Sequence, residues 1–171
     1  MSKLFIHAES VPKLTAGQAV TALRGREFIT NDEPLLIHNA DSAFHAAPAW
    51  IGTAKAEILD GALLVIESRE GRWSYSRENE RRFVVEVREK QVIPPWPATG
   101  SYSLDRGSDF VPAAEARLDA RHREAGEFYV GPLYTNLIAR GARIKNFAIR
   151  ELYCFCPPDD QKSPLKGLRS A

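Results

Sequence analysis

The sequence predicts a three-layer α/β domain around a mostly parallel sheet. Three observations predict it. Apolar runs of strand length recur, as in Leu35-Leu36-Ile37 and Ala62-Leu63-Leu64-Val65-Ile66, the pattern of strands covered on both faces. Segments with apolar residues at helical spacing alternate with them. The 11 glycines and 11 prolines mark turns rather than a linker. A length of 171 residues suits one ordinary domain, or most of a larger one.

Taken in order, residues 3–14 read as extended, interrupted near Pro12. Thr15 is placed to cap a helix over residues 16–28, with Ala19, Ala22 and Leu23 on one face. Leu35-Leu36-Ile37-His38 follows Pro34 and reads as a buried strand, with His38 as a hydrogen-bonded core residue. Residues 61–67, 83–87 and 98–104 read as further strands. Residues 108–121 read as a helix carrying Phe110, Val111, Ala114 and Leu118 on one stripe. Val130, Leu133, Tyr134, Leu137 and Ile138 then describe a full amphipathic helix, which Gly141 stops. Residues 143–154 read as extended. After them the chain changes character. Asp159-Asp160-Gln161-Lys162-Ser163-Pro164 is polar, with only Leu165 and Leu168 behind it. The expected organisation is one domain over residues 1–156 and a tail over residues 157–171.

Composition narrows the function. Lys and Arg number 23 against 22 Asp and Glu, leaving a formal charge of +1. That balance argues against a broad electrostatic grip on nucleic acid or on an anionic membrane and leaves room only for a local cationic site. No run of 18 apolar residues occurs, so no membrane insertion is expected. The N-terminus has no long apolar stretch before Pro12, which makes a cytoplasmic location the expectation. Cys154 and Cys156 would point to opposite faces of an extended segment, poor geometry for a mutual bridge. Two ligands at that spacing do not make a zinc site, so buried thiols in a reducing compartment are expected.

The chemistry gathers after the strand at residues 35–38. In an open parallel sheet, ligands bind where loops and helix N-termini converge at the carboxyl ends of strands. Asn39-Ala40-Asp41-Ser42 lies at such an end. A carboxylate there suits Mg²⁺, a hard cation that takes one or two carboxylates and completes its shell from substrate phosphates. An ordinary turn residue is the competing reading of Asp41.

Leu14-Thr15-Ala16-Gly17-Gln18-Ala19-Val20-Thr21 followed by Pro34-Leu35-Leu36-Ile37-His38-Asn39-Ala40-Asp41-Ser42 resembles the sugar-phosphate nucleotidyltransferase family, in its capsular and surface-polysaccharide branch. The likeness continues in register through Trp73-Ser74-Tyr75, Val87-Arg88-Glu89-Lys90, Ala98-Thr99-Gly100-Ser101-Tyr102, Arg106-Gly107-Ser108-Asp109-Phe110 and Gly126-Glu127-Phe128-Tyr129-Val130-Gly131-Pro132. The resemblance implies a Rossmann-like, glycosyltransferase-A-like sheet. It implies transfer of a nucleotidyl group from a nucleoside triphosphate to a sugar phosphate or similar phosphorylated acceptor, with release of pyrophosphate. It makes Asp41 the Mg²⁺ ligand and places Gly17 and Gln18 against the nucleotide base. Glu89 would hold a sugar hydroxyl, Lys90 the substrate phosphate, and Gly100 the sugar through its backbone. Glu127 and Tyr129 would face the acceptor. Each has a plainer alternative: a first helical turn for Gly17-Gln18, a solvated hairpin end for Glu89-Lys90, a β-bulge for Gly100, a helix N-terminus for Glu127, and sheet cover for Trp73 and Tyr75.

The sequence also departs from the family. The family opens with a strand and a glycine-rich loop, carrying an Arg and a later Lys, that wraps the triphosphate. No Gly-x-Gly-x-Arg occurs here, so an N-terminally truncated version of the fold is expected. Cys156-Pro157-Pro158-Asp159-Asp160-Gln161 resembles the family's Gly-Thr-Pro-Glu-Asp-Leu segment. That alignment puts Cys154 where many relatives carry a second metal-binding Asp, and a thiol is a poor Mg²⁺ ligand. Either Glu127 substitutes, or two-point metal binding is lost. Several outcomes stay open. The chain is an active enzyme whose loop comes from a partner chain or a separately encoded fragment, a truncated gene product, or a non-catalytic binding or regulatory pseudoenzyme, and a homo-oligomer is a further open outcome. From another class, a nucleotide-sugar-dependent glycosyltransferase would read Asn39-Ala40-Asp41 as an incomplete Asp-x-Asp motif.

Overall fold

A computed structural model of the chain describes residues 6–45, 49–66, 73–91, 93, 96–155 and 165–166. Its main sheet runs β5 (Val84–Glu89), β4 (Ser74–Glu78), β6 (Trp96–Leu104), β3 (Gly61–Val65), β7 (Ile144–Ala148), with β1 (Leu35–His38) also paired to β6. A second sheet runs β2 (Ser42–His45), β8 (Glu151–Cys154), β9 (Leu165–Lys166). The helices are α1 (Gln18–Ala22), α2 (Arg26–Ile29), α3 (Ala49–Ala56), α4 (Phe110–Asp119) and α5 (Leu133–Ala139).

Strand β3 shows why the layers form. All five of its residues are buried, and successive side chains leave opposite faces. Leu63 and Val65 enter a core shared with Ala19 of α1, Phe110, Val111 and Ala114 of α4, and Leu133, Tyr134 and Leu137 of α5. Leu64, with Ile66 beyond the strand, enters a separate core with Leu152 and Cys154 of β8, Phe44 of β2 and Trp50 of α3. The three-layer α/β expectation therefore holds, with helices on one face and a small sheet plus α3 on the other.

The expected parallel sheet does not hold. Of the pairings in the main sheet only β3 with β7 is parallel; β1–β6, β3–β6, β4–β5 and β4–β6 are antiparallel. A continuous apolar run reports cover on both faces, and a third layer supplies that cover whatever the strand direction. Strands β4 and β5 pair through a close return of the chain, whereas β1, β3 and β4 pair with β6 at longer range. At β4–β5 the Asn79 side chain accepts from the backbone N–H of Arg81 and Phe83 and closes the turn.

Other elements shift for identifiable reasons. The helix expected over residues 16–28 is broken into α1, a 3₁₀ turn at Leu23–Gly25 and α2, and Gly25 sits at the break. Thr15 does not cap it. Gly17 holds that position without a side-chain cap, and the Thr15 hydroxyl donates to the Gly17 carbonyl at 3.1 Å. Strand β1 alternates half-buried and exposed residues rather than being buried, with Leu36 51% exposed. His38 is accordingly exposed, although both ring nitrogens are hydrogen-bonded. The amphipathic helix begins only at Leu133, after Pro132. Residues 143–154 are not one extended segment: the chain leaves the main sheet after β7, buries Ile149 and joins the second sheet as β8. Strands β2 and β4 and helix α3 were not foreseen. The tail is not wholly detached, because Leu165–Lys166 pairs with β8. Residues 3–5, Glu67, and the segment from Cys156 through Pro158 and Asp160 lie outside the described residues.

Gly17 is an obligatory glycine. Its φ of 132° and ψ of 175° fall in a region reserved for glycine. A Cβ there would lie 2.6 Å from the backbone N and O of Phe128. Gly17→Ala is expected to cost about 2–4 kcal/mol of stability, to be read as a shifted urea midpoint.

Candidate active site

A cavity of about 190 Å³ opens beside the middle of β6. Its wall is assembled from separate stretches of the chain: Gln18, then Asn39, Asp41 and Ser42, then Trp73 and Ser74, then Glu89 and Lys90, then Ala98 to Gly100 with Tyr102, then Tyr129 and Cys154. Six of the residues that the sequence singled out thus meet: Gln18, Asp41, Glu89, Lys90, Gly100 and Tyr129. Gly17 and Glu127 do not line it. Gly17 instead packs on the Phe128 backbone. Glu127 is exposed in a tight turn, exchanging two backbone hydrogen bonds with Glu124, both 3.0 Å.

Local structure explains each placement. The loop after β1 is pinned at several points. Asn39 N–H donates to Gly100 O at 3.0 Å, and Phe155 N–H donates to Asp41 O at 2.8 Å. The Ser42 carbonyl takes His38 Nε2–H at 2.8 Å, which leaves Nδ1 to accept from the Ser101 hydroxyl at 2.8 Å. Asp41 therefore has a fixed backbone and an exposed carboxylate on the cavity rim, which makes no hydrogen bond or ion pair with the described residues. The pairing of β2 with β8 sets Cys154 opposite Ser42 and so brings it into the cavity next to Asp41. Gly100 has φ +79° at the irregularity between β3 and β6, so the bulge reading holds. A Cβ there would lie 2.5 Å from Asn39 Nδ2. The glycine thus lets the Asn39 amide approach, and Asn39 Oδ1 in turn accepts from Gln18 Nε2 at 3.1 Å. The Gln18 Oε1 atom is buried without a hydrogen-bond donor, while the residue itself lines the cavity.

Glu89 and Lys90 bring a buried carboxyl and an ammonium to the same cavity. Glu89 ends β5 only 5% exposed. Its carboxylate accepts from the Ser74 hydroxyl, which also lies 3.3 Å from the Tyr102 hydroxyl. Burial, the largest influence, raises the Glu89 pKa to about 7. Lys90 donates to the Tyr129 hydroxyl at 2.8 Å, and that bond holds its ammonium above the usual lysine range. Burial likewise holds the Tyr102 hydroxyl far above the ordinary tyrosine range. The Glu89-Lys90 pair is therefore half in and half out: the carboxyl sits in the wall and the exposed ammonium on the rim. Asn39, Ser74 and Tyr102 escaped the sequence reading. All three lie within stretches that carry the resemblance, but no local pattern marks them as site residues.

The Glu89 shift sets a pH dependence with a definite sign. The folded chain binds its proton up to about pH 7, whereas an ordinary carboxyl near 4.5 has released it. The folded state holds more protons across that window, so this group's contribution falls as pH rises from about 4.5 and levels off above about 7. A shift of this size corresponds to about 3 kcal/mol. Urea unfolding on either side of the window is expected to show that decline in the wild type and a flatter profile in Glu89→Gln.

Among the described residues no three His, Cys, Asp or Glu side chains cluster to hold an ion by themselves. A Mg²⁺ ion completed by substrate phosphates needs only one or two carboxylates, and the unpaired Asp41 carboxylate at the rim fits that smaller demand.

No family model matches the chain, and no curated protein matches its sequence. Solved structures do match. A nucleoside-diphosphate-sugar pyrophosphorylase from Vibrio cholerae RC9 is similar at 25% identity and a TM-score of 0.73, over 88% of this chain and 65% of that one. A Bacillus anthracis protein described as a glucose-1-phosphate thymidylyltransferase, solved with sucrose, is similar at 18% identity and a TM-score of 0.60, over 80% of this chain and 54% of that one. The fold is therefore the mixed α/β fold of sugar nucleotidyltransferases, and the chain spans about two thirds or less of the length of these neighbours. No described helix is long and apolar enough to cross a membrane.

Proposed function

We propose that the chain is a sugar-phosphate nucleotidyltransferase domain. It transfers a nucleotidyl group from a nucleoside triphosphate to a sugar phosphate or similar phosphorylated acceptor and releases pyrophosphate. One observation carries the reading: a single cavity collects Gln18, Asp41, Glu89, Lys90 and Gly100 from distant parts of the chain. The sequence resemblance, together with the Vibrio cholerae neighbour, supports it. Surface-polysaccharide precursor synthesis as its setting rests on the sequence resemblance.

An acceptor phosphate oxygen attacks the α-phosphorus. The nucleophile is already anionic, so the reaction needs alignment and charge neutralisation rather than a general base. Lys90 holds the acceptor phosphate through its ammonium, a compact charge suited to that ligand. Glu89, steadied by Ser74, takes a hydroxyl of the acceptor. Gln18, which lines the cavity, is the residue assigned to the base. Gly100 leaves its backbone open to close approach. Asp41 would hold Mg²⁺, which when bound neutralises phosphate charge. The experiment is pyrophosphate release by the chain with each nucleoside triphosphate, Mg²⁺ and a panel of sugar phosphates. Release that depends on both substrates supports the reading. Sugar transfer from a nucleotide-sugar without pyrophosphate overturns it, and so does the absence of release under all combinations.

A further inference from the structure

Behind Glu89 and Lys90 lies a buried ion pair that the chemistry above leaves unused. The Arg117 side chain is 4% exposed and that of Glu124 9%, and they meet at 3.1 Å. Removing two charges from water is costly unless every donor and acceptor is matched. Here Arg117 Nε is buried without a partner. Stability alone is a weak reason for such a pair, so its geometry matters more.

The two oxygens of Glu124 have separate tasks. Oε1 accepts from Arg117 Nη2 at 3.1 Å, and Oε2 accepts from the backbone N–H of Glu89 at 2.9 Å. Arg117 is anchored in turn by Nη1, which donates to Pro132 O at 3.3 Å and Asn136 Oδ1 at 3.2 Å at the start of α5. The backbone that this clamp grips needs holding. Lys90 follows Glu89 with φ +52°, a left-handed conformation uncommon for a long side chain. The turn that presents Glu124 also serves the rest of the wall. Its second arm contains Phe128, bonded to Ala16 and Ala19, and Tyr129, which accepts from Lys90.

We propose that Arg117 and Glu124 are positioning residues: together they fix the backbone at Glu89, and thereby the direction in which Lys90 enters the cavity. The consequence for catalysis rests on the role given to Lys90 above; the clamp on the backbone does not.

The test follows the backbone amide resonances of Glu89 and Lys90, and the carboxyl titration of Glu89, by NMR on the whole chain. Wild type is compared with Glu124→Gln, which keeps the shape and removes the charge, and with Arg117→Lys, which keeps the charge and loses the fork. Both amide resonances are expected to move in both variants. The Glu89 midpoint is expected to fall below its value of about 7 in Glu124→Gln, because the Glu124 charge helps to raise it, while Ser74, Lys90, Glu127 and Tyr102 still face it. In turnover the KM for the phosphorylated acceptor is expected to rise about tenfold, with kcat changed far less. If a folded variant keeps the wild-type amide resonances and Glu89 titration, the clamp is overturned. If the resonances move but wild-type chain releases no pyrophosphate, the clamp stands and the nucleotidyltransferase reading is overturned.

Discussion

Asp41→Asn is expected to lower pyrophosphate release on the order of 10²–10³-fold, the scale on which single charge-stabilising groups act in transfer reactions. The fold should be untouched. The Asp41 carboxylate is exposed and has no partner among the described residues, while the loop is held by the backbone bonds of Asn39, Asp41 and Ser42. Thermal melting and pyrophosphate release measured on the same sample separate the two effects. A variant that melts as wild type and turns over as wild type removes Asp41 from the reaction and, with it, the carboxylate proposed to hold Mg²⁺.

The second large effect belongs to Lys90. Lys90→Ala removes a charge-assisted contact worth about 1.5–3 kcal/mol, so the KM for the phosphorylated acceptor is expected to rise about 10–100-fold. The dependence on nucleoside triphosphate should change much less, because that substrate is assigned to Gln18 and Asp41 rather than to Lys90. Initial rates with each substrate varied in turn distinguish the two. An unchanged acceptor dependence would mean that the ammonium merely satisfies the Tyr129 hydroxyl.

Local signals were legible in the sequence and long-range pairing was not. The β3 run, the Phe110, Val111 and Ala114 stripe, and the Gly141 stop could be read because each depends on neighbours a few positions away. Strand direction could not, because a buried apolar run looks the same in a parallel and an antiparallel sheet. Strand β4 was missed because Ser74, Ser76, Arg77 and Glu78 carry no apolar run; its inward side is satisfied by hydrogen bonds such as Ser76 to Asn146 at 3.0 Å. The candidate site was legible only as separate fragments. Asp41 and Lys90 could each be named, but nothing in their spacing showed that β8 would bring Cys154 beside the first. Nothing local showed that Glu124 would grip the backbone of Glu89, just before the second.

The wall of the cavity draws on positions from 18 to 154, and its segments come from both sheets. Such a pocket has no half-formed version. Apart from the Ser74 and Glu89 stretches, which meet across one hairpin, the stretches that line it are far apart in the chain, so loop-closure entropy must be overcome before they meet. A ligand of this cavity would therefore depend on contacts made across most of the chain rather than on any single element.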